Sequence, residues 1–213
     1  MEDSMNIEIK TVVLGQVNTN CYFVWNTETK EGIIIDPADN ADDIIQVIRE
    51  EQIIVKGVYL THAHFDHMLA ASSVAGAYRA PVYCLAQEKE VAESTRLNLS
   101  DYFGCTYALT PDRVLQDGEV VQVVGMQMQV LHTPGHTKGS GCYYVAEEGI
   151  LFSGDTLFFE SVGRTDFPTG NSATLAQSIK EKLYVLPEEV KVYPGHGSAT
   201  SIGYEKKNNM FVQ

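Results

Sequence analysis

Residues 58 to 67, Val-Tyr-Leu-Thr-His-Ala-His-Phe-Asp-His, constrain this chain more than any other stretch. Val58, Tyr59 and Leu60 read as the end of a short buried strand. The next seven residues put His62, His64, Asp66 and His67 on what reads as an extended loop. Alternate side chains of an extended segment point the same way, so His62 and His64 can reach one point. Asp66 and His67 are adjacent, face differently and can reach a second. Neutral imidazole nitrogens and carboxylate oxygens are donors that hold zinc, iron or manganese. A histidine-rich surface loop is the bland alternative, but four donors in six positions after an apolar strand favour a metal site.

The other donors lie far along the chain. Pro-Gly-His occurs twice, at 134–136 and 194–196, each time at the end of an apolar segment. A Pro-Gly turn can present the following His136 or His196 at a strand end. Asp155 ends the buried run Ile-Leu-Phe-Ser-Gly-Asp, where a carboxylate without counter-charge is costly. A cation would supply that charge, and Gly154 lets backbone approach closely. His132 reads as a packed or supporting histidine.

The surrounding pattern is α+β. Ile7 to Leu14, Asn20 to Asn26 and Ile33 to Ile35 read as a β-meander. A helix follows over about 41–51, with Asn40 as cap and Ile44, Ile45 and Ile48 as its buried stripe. Strands are expected at 56–60, 81–85, 190–193 and in hairpins 119–131 and 141–153. Helices are expected over the small residues after His67, over 87–97, over 172–184 with Ser172 as cap, and over 203–208. Residues 98–112 read as a loop with one helical turn whose Tyr102, Phe103 and Tyr107 pack locally, a substrate-facing role being the lesser alternative. Hairpins before helical crossovers in both halves fit two sheets face to face with helices outside.

Composition sets the outer limits. The 213 residues suit one domain, spanning 1–213, with 44% hydrophobic and 20% charged residues. The formal net charge of −13 disfavours nucleic acid as a partner and gives no help on an anionic membrane. The four cysteines form no C-x-x-C pair, and Cys84 reads as a small buried hydrophobe. No secretory h-region is visible in the first ten residues, where Met5 is an alternative start. The expectation is a cytoplasmic protein with reduced thiols.

The series T-H-x-H-x-D-H, T-P-G-H-T, S-G-D and P-G-H-G resembles the metallo-β-lactamase-fold hydrolases, and its order and spacing resemble the glyoxalase II-like branch. The resemblance runs over most of the chain. It implies a four-layer αββα sandwich of two mixed β-sheets flanked by helices, with the metals at one edge. It implies two divalent ions, zinc first, with iron or manganese compatible. His62, His64 and His136 would hold the first ion, Asp66, His67 and His196 the second, and Asp155 would bridge them. A metal-bound hydroxide, favoured because coordination lowers the pKa of water to about 7, would attack a small thioester. Asp66 would orient it or move its proton, which with Asp155 makes the catalytic pair. Full-length glyoxalase II continues into a helical domain that grips glutathione, whereas here only residues 198–213 follow the last motif, so glutathione specificity is not implied.

The segment Gly163-Arg164-Thr165-Asp166-Phe167 also resembles persulfide dioxygenases, which use one iron and place an arginine toward an anionic thiol. That makes Arg164 and Phe167 candidate substrate contacts and a mononuclear iron dioxygenase the alternative function. A non-enzymatic metal-binding module is a more distant one.

Overall fold

The computed structural model describes residues 6–212, so Met5 lies outside the described residues. Strands β1 (Ile7–Leu14), β2 (Thr19–Asn26) and β3 (Glu31–Ile35) form the expected antiparallel meander. Helix α1 (Ala41–Glu50) then crosses to β4 (Ile54–Tyr59), which pairs parallel to β3. The ligand stretch leads into a one-turn helix α2 (Phe65–Met68), then α3 (Ala71–Tyr78) and β5 (Val82–Leu85). A 3-10 turn at Ala86–Glu88 runs into α4 (Lys89–Ala92), and β6 (Arg113–Leu115) completes a six-stranded sheet ordered β1 to β6.

The second half builds the second sheet. Hairpin β7 (Val120–Val123) and β8 (Met126–His132) turns at Val124-Gly125, both with positive φ, as a two-residue hairpin of right-handed twist requires. Strands β9 (Gly141–Val145) and β10 (Ile150–Gly154) follow, then a small ribbon of β11 (Leu157–Phe158) and β12 (Ser161–Val162). Helix α5 (Ser172–Ser178) continues as a π-helical turn (Ile179–Leu183). After it come β13 (Lys191–Pro194), parallel to β10, then β14 (Thr200–Ser201) and α6 (Ile202–Asn208).

Strand alternation produces the layers. In β2, Phe23 and Trp25 pack with α1 residues Ile44 and Ile48, while Tyr22 and Val24 face the other way. Those two join Met126, Met128, Val130 and Phe152 from the second sheet, so this cluster is the inner core. A third cluster packs Leu151 and Val192 of the second sheet under Leu175, Ile179 and Ile202. The result is helix, sheet, sheet, helix, as expected.

The structure corrects several local expectations. Asp66 and His67 sit on α2, not on an extended loop. Asn40 adopts a left-handed conformation and makes no side-chain cap; its amide reaches Asp43 instead. Asn171, not Ser172, caps α5 by accepting from Thr174 N–H at 2.9 Å. The helix expected over 87–97 stops at Ala92, and β6 was not anticipated. All four cysteines are free, with Cys84 buried. Among the described residues, no helix is long and apolar enough to cross a membrane.

Candidate metal centre

Topology brings the donors to one edge. Parallel pairing of β10 with β13 delivers Asp155 and His196 from neighbouring strand ends. Strand β4 delivers His62 and His64 from the other sheet, and β8 leads to His136. The sheets are stitched together here: Asn20 N–H donates to Gly195 O at 2.7 Å, and Gly141 N–H to Thr61 O at 2.8 Å. Gly195 is required by close approach, since a Cβ there would lie 2.2 Å from Asp155 Oδ1 and 2.7 Å from His67 Cε1. At Gly154, φ is +48° and a Cβ would meet Thr61 Oγ1 at 2.3 Å.

Among the described residues, seven side chains converge in three overlapping groups whose donor atoms lie within 4.8 Å of one another: His62, His64 and His136; His62, His67 and Asp155; Asp66, His67 and His196. His62 Nε2 and His136 Nε2 are 3.2 Å apart. His67 Nε2 stands 3.4 Å from Asp155 Oδ1 and 3.5 Å from Asp66 Oδ2. His196 Nε2 stands 3.5 Å from both Asp66 Oδ2 and Asp155 Oδ2. Donors about 2.1 Å from one tetrahedral ion stand about 3.4 Å from each other, so these spacings suit a shared cation.

Proton positions sharpen the point. His136 Nδ1–H donates to Arg164 O at 2.7 Å, because a carbonyl can only accept. Thr61 Oγ1 donates to Asp36 Oδ2 at 2.6 Å, so it accepts from His62 Nδ1–H at 3.3 Å. Both Nε2 atoms therefore aim lone pairs at each other across 3.2 Å, an arrangement that a cation between them stabilises. Asp155 Oδ1 is buried without a hydrogen-bond partner, as is His64 Nε2. The donor set fits divalent metal.

Charge divides the centre into two parts. Burial, and after it the neighbouring imidazoles His67 and His136, push His62 well below the ordinary histidine range. Burial and His136 take His64 down to about 3, and burial lowers His136 as well. These three rings are neutral at pH 7, with lone pairs free to act as donors. Burial opposes charge on His67 too, but Asp66, Asp155 and Asp36 outweigh it and raise that ring well above its ordinary value. At His196, burial is overcome by hydrogen bonds to Asp155 and Asp66, which lift it to about 9. Burial works against ionised Asp66, yet His67 holds it at about 2; Asp155 is likewise held low, chiefly by His67.

Residues outside the motifs hold the donors in place. Asp36 is buried and accepts from Thr61 N–H at 2.8 Å and from His67 Nδ1–H at 2.9 Å. It thereby fixes the tautomer that leaves His67 Nε2 for metal. Thr19 Oγ1 donates to Asp66 Oδ2 at 2.8 Å. Glu88, 0% exposed, accepts from Ala63 N–H and Thr137 Oγ1–H, each at 2.8 Å, and from Gly139 N–H. One carboxylate thus pins both loops that carry the three-histidine group. Neither Asp36 nor Glu88 lies in a donor motif, so the sequence does not mark them.

His132 stands apart from the cluster, with its Nε2 3.0 Å from Lys138 O. Phe167 lies edge-on to His64 with ring centroids 6.0 Å apart. Arg164 stacks over Phe167 at 3.9 Å and pairs with Asp166 at 2.7 Å. Tyr107 binds Ser72 through its hydroxyl, whereas Tyr102 and Phe103 are exposed.

Comparison with known proteins agrees with this geometry. A profile of the metallo-beta-lactamase superfamily matches residues 14–196. Hydroxyacylglutathione hydrolase GloC of Haemophilus influenzae is 37% identical over 211 residues, covering 98% of each chain. Among solved structures, BLEG-1 B3 metallo-beta-lactamase superposes with a TM-score of 0.91 at 37% identity, covering 97% of this chain and 100% of that one. TTHA1623 in a di-iron-bound form gives 0.85 at 35% identity, covering 95% and 99%. ETHE1 from Myxococcus xanthus gives 0.80 at 30% identity, covering 96% and 84%. With its profile match, its four-layer sandwich and the donor set of a metal-dependent hydrolase, this chain belongs to the metallo-beta-lactamase superfamily.

Proposed function

We propose that the protein is a binuclear metal-dependent hydrolase of small thioesters. The observation that carries this reading is the pair of adjoining donor groups, one of neutral histidines and one containing the carboxylates, joined at Asp155. Two divalent ions there, zinc in the first instance, would supply a water whose pKa coordination lowers to about 7 and a positive field for a developing oxyanion.

The chain's own residues do the rest. Asp66, held by Thr19 and ionised, accepts a hydrogen bond from the attacking water and orients it. Asp155 lies between His136 Nε2 and His196 Nε2, at 3.4 and 3.5 Å, where it can serve both metal positions. Arg164, braced on Phe167 beside His64, can meet an anionic group on the thiol half. As the new C–O bond forms, the C–S bond breaks; one proton of the water leaves with the thiol, the other passes to solvent, and a carboxylate remains. The relative named as a hydroxyacylglutathione hydrolase supports this substrate class. The net charge of −13 supports a small molecule over nucleic acid as partner.

A second reading, a mononuclear iron persulfide dioxygenase, is favoured by Arg164 and Phe167 beside His64 and by the match to ETHE1. One preparation, metal-analysed and assayed in parallel, separates the two. Hydrolysis of acyl-thioesters without oxygen uptake supports the hydrolase. Iron-dependent oxygen uptake with glutathione persulfide, and no thioester hydrolysis, replaces it with the dioxygenase. A β-lactam belongs in the same panel because of the BLEG-1 similarity.

A further inference from the structure

Two cavities flank the metal centre on opposite sides of one loop, and their chemistry differs. The first, about 510 Å³, reaches Asp66 and is lined by Val17, Leu69, Phe65, Phe103 and Asp39. The second, about 590 Å³, is lined by Phe167 and Arg164, with Arg96 and Tyr102. Tyr102 and Phe103 are chain neighbours with ring centroids 5.4 Å apart, so the loop tip divides the cavities. Both volumes lie within the range of small-molecule sites.

We infer that the first cavity is the acyl pocket and selects uncharged, apolar acyl groups. Phe65 immediately precedes the donor Asp66 on α2, so pocket wall and metal centre are fixed together. Phe103 stacks on Phe65 with centroids 4.6 Å apart and a 26° interplanar angle, although Phe103 is 50% exposed. Tyr102 is 81% exposed, and Val17, across the pocket from the loop, is 41% exposed. Apolar side chains held at the mouth of a reaction centre gain by covering an apolar ligand. The charges agree. Asp39 is the carboxylate on this pocket that lies outside the donor set, and among the described residues no cationic side chain lines it. An acyl chain ending in a carboxylate would be repelled there. The opposite cavity carries Arg96 and Arg164 alongside Asp101 and Asp166, and it can take the thiol half.

This inference rests on the thioester reading and deepens it, and one series tests both. Acetyl, butyryl, hexanoyl and succinyl thioesters of a single thiol are compared in the wild type, V17W, F103A and D39N. All three substitutions lie at partly or fully exposed positions. In the wild type, kcat/KM should rise about fourfold for each methylene that becomes buried. V17W, which fills the pocket, and F103A, which opens it, should each lower the hexanoyl-to-acetyl ratio of kcat/KM about tenfold. D39N should raise the succinyl-to-acetyl ratio several-fold. Unmoved ratios in all three variants overturn the acyl pocket while leaving thioester hydrolysis standing. If the wild type cleaves none of the series, the thioester reading falls. The pocket is then judged by ligand-observed NMR of hexanoate: saturation transfer in the wild type that V17W abolishes supports it, and no transfer overturns it.

Discussion

Glu88→Ala is the substitution whose consequence can be worked furthest from the structure. The carboxyl is buried, and its removal leaves the N–H groups of Ala63 and Gly139 without an acceptor; Thr137 keeps Ser140 Oγ at 2.7 Å. Two orphaned buried donors cost about 2 to 6 kcal/mol. That cost depends on pH. Burial pushes Glu88 from 4.5 up to about 7, against the pull of its hydrogen-bond donors. Between those values the folded protein holds a proton that the unfolded chain has lost, so wild-type stability falls as pH rises. The alanine variant has no such loss. Its deficit should therefore be largest near pH 5 and smaller by about 2 to 3 kcal/mol at pH 8. Urea unfolding of metal-free wild type and variant at both pH values measures this difference. A deficit that is constant, or that grows with pH, would refute the assigned burial and charge of Glu88. Because Glu88 pins the loops of His62, His64 and His136, metal affinity of that group should fall in the variant at both pH values.

Metal binding should release protons unequally. At pH 7 the metal-free protein carries protons on His67 and His196, which a cation at Nε2 must displace, whereas His62, His64 and His136 are already neutral. Affinity at the His67–His196 group should rise with pH through the titration of His196 near 9 and stay flat at the other; calorimetry in buffers of different ionisation enthalpy reads the protons, and two silent equivalents would contradict the assignment. Asp36→Asn replaces the carboxylate that fixes His67 Nδ1–H, and metal affinity should drop about 10- to 100-fold in competition with a chelator. Gly195→Ala places a methyl 2.2 Å from Asp155 Oδ1, so metal content after dialysis should fall while far-UV circular dichroism is retained.

What could be read from the sequence was whatever is local. The meander follows from runs of β-branched and aromatic residues broken by turns, and α1 from its isoleucine stripe, whereas the split of β2 into Phe23 and Trp25 on one face and Tyr22 and Val24 on the other shows only in the fold, because the strand is apolar on both sides. The donors stand out because they occupy short motifs at strand ends. Their supports do not, because they act across long separations: Asp36 on Thr61 at 25 residues, Glu88 on Thr137 at 49 and Thr19 on Asp66 at 47. Helix ends failed for a related reason. Asn98 accepts from Ser100 N–H and donates to Tyr107 O, and these bonds draw the chain past Ala92 into turns rather than a longer helix. The Asp66-His67 step turned helical because Phe65 N–H and His67 N–H are satisfied by Asn98 O and His64 O, partners that spacing alone does not reveal.

The central claim is that two cations share this cage, and counting them tests it most directly. Protein loaded with excess zinc, dialysed and analysed for metal should retain two equivalents per chain, falling to one in His196→Ala. A single equivalent in the wild type, unchanged by that substitution, would contradict the binuclear centre and the hydrolytic chemistry built on it.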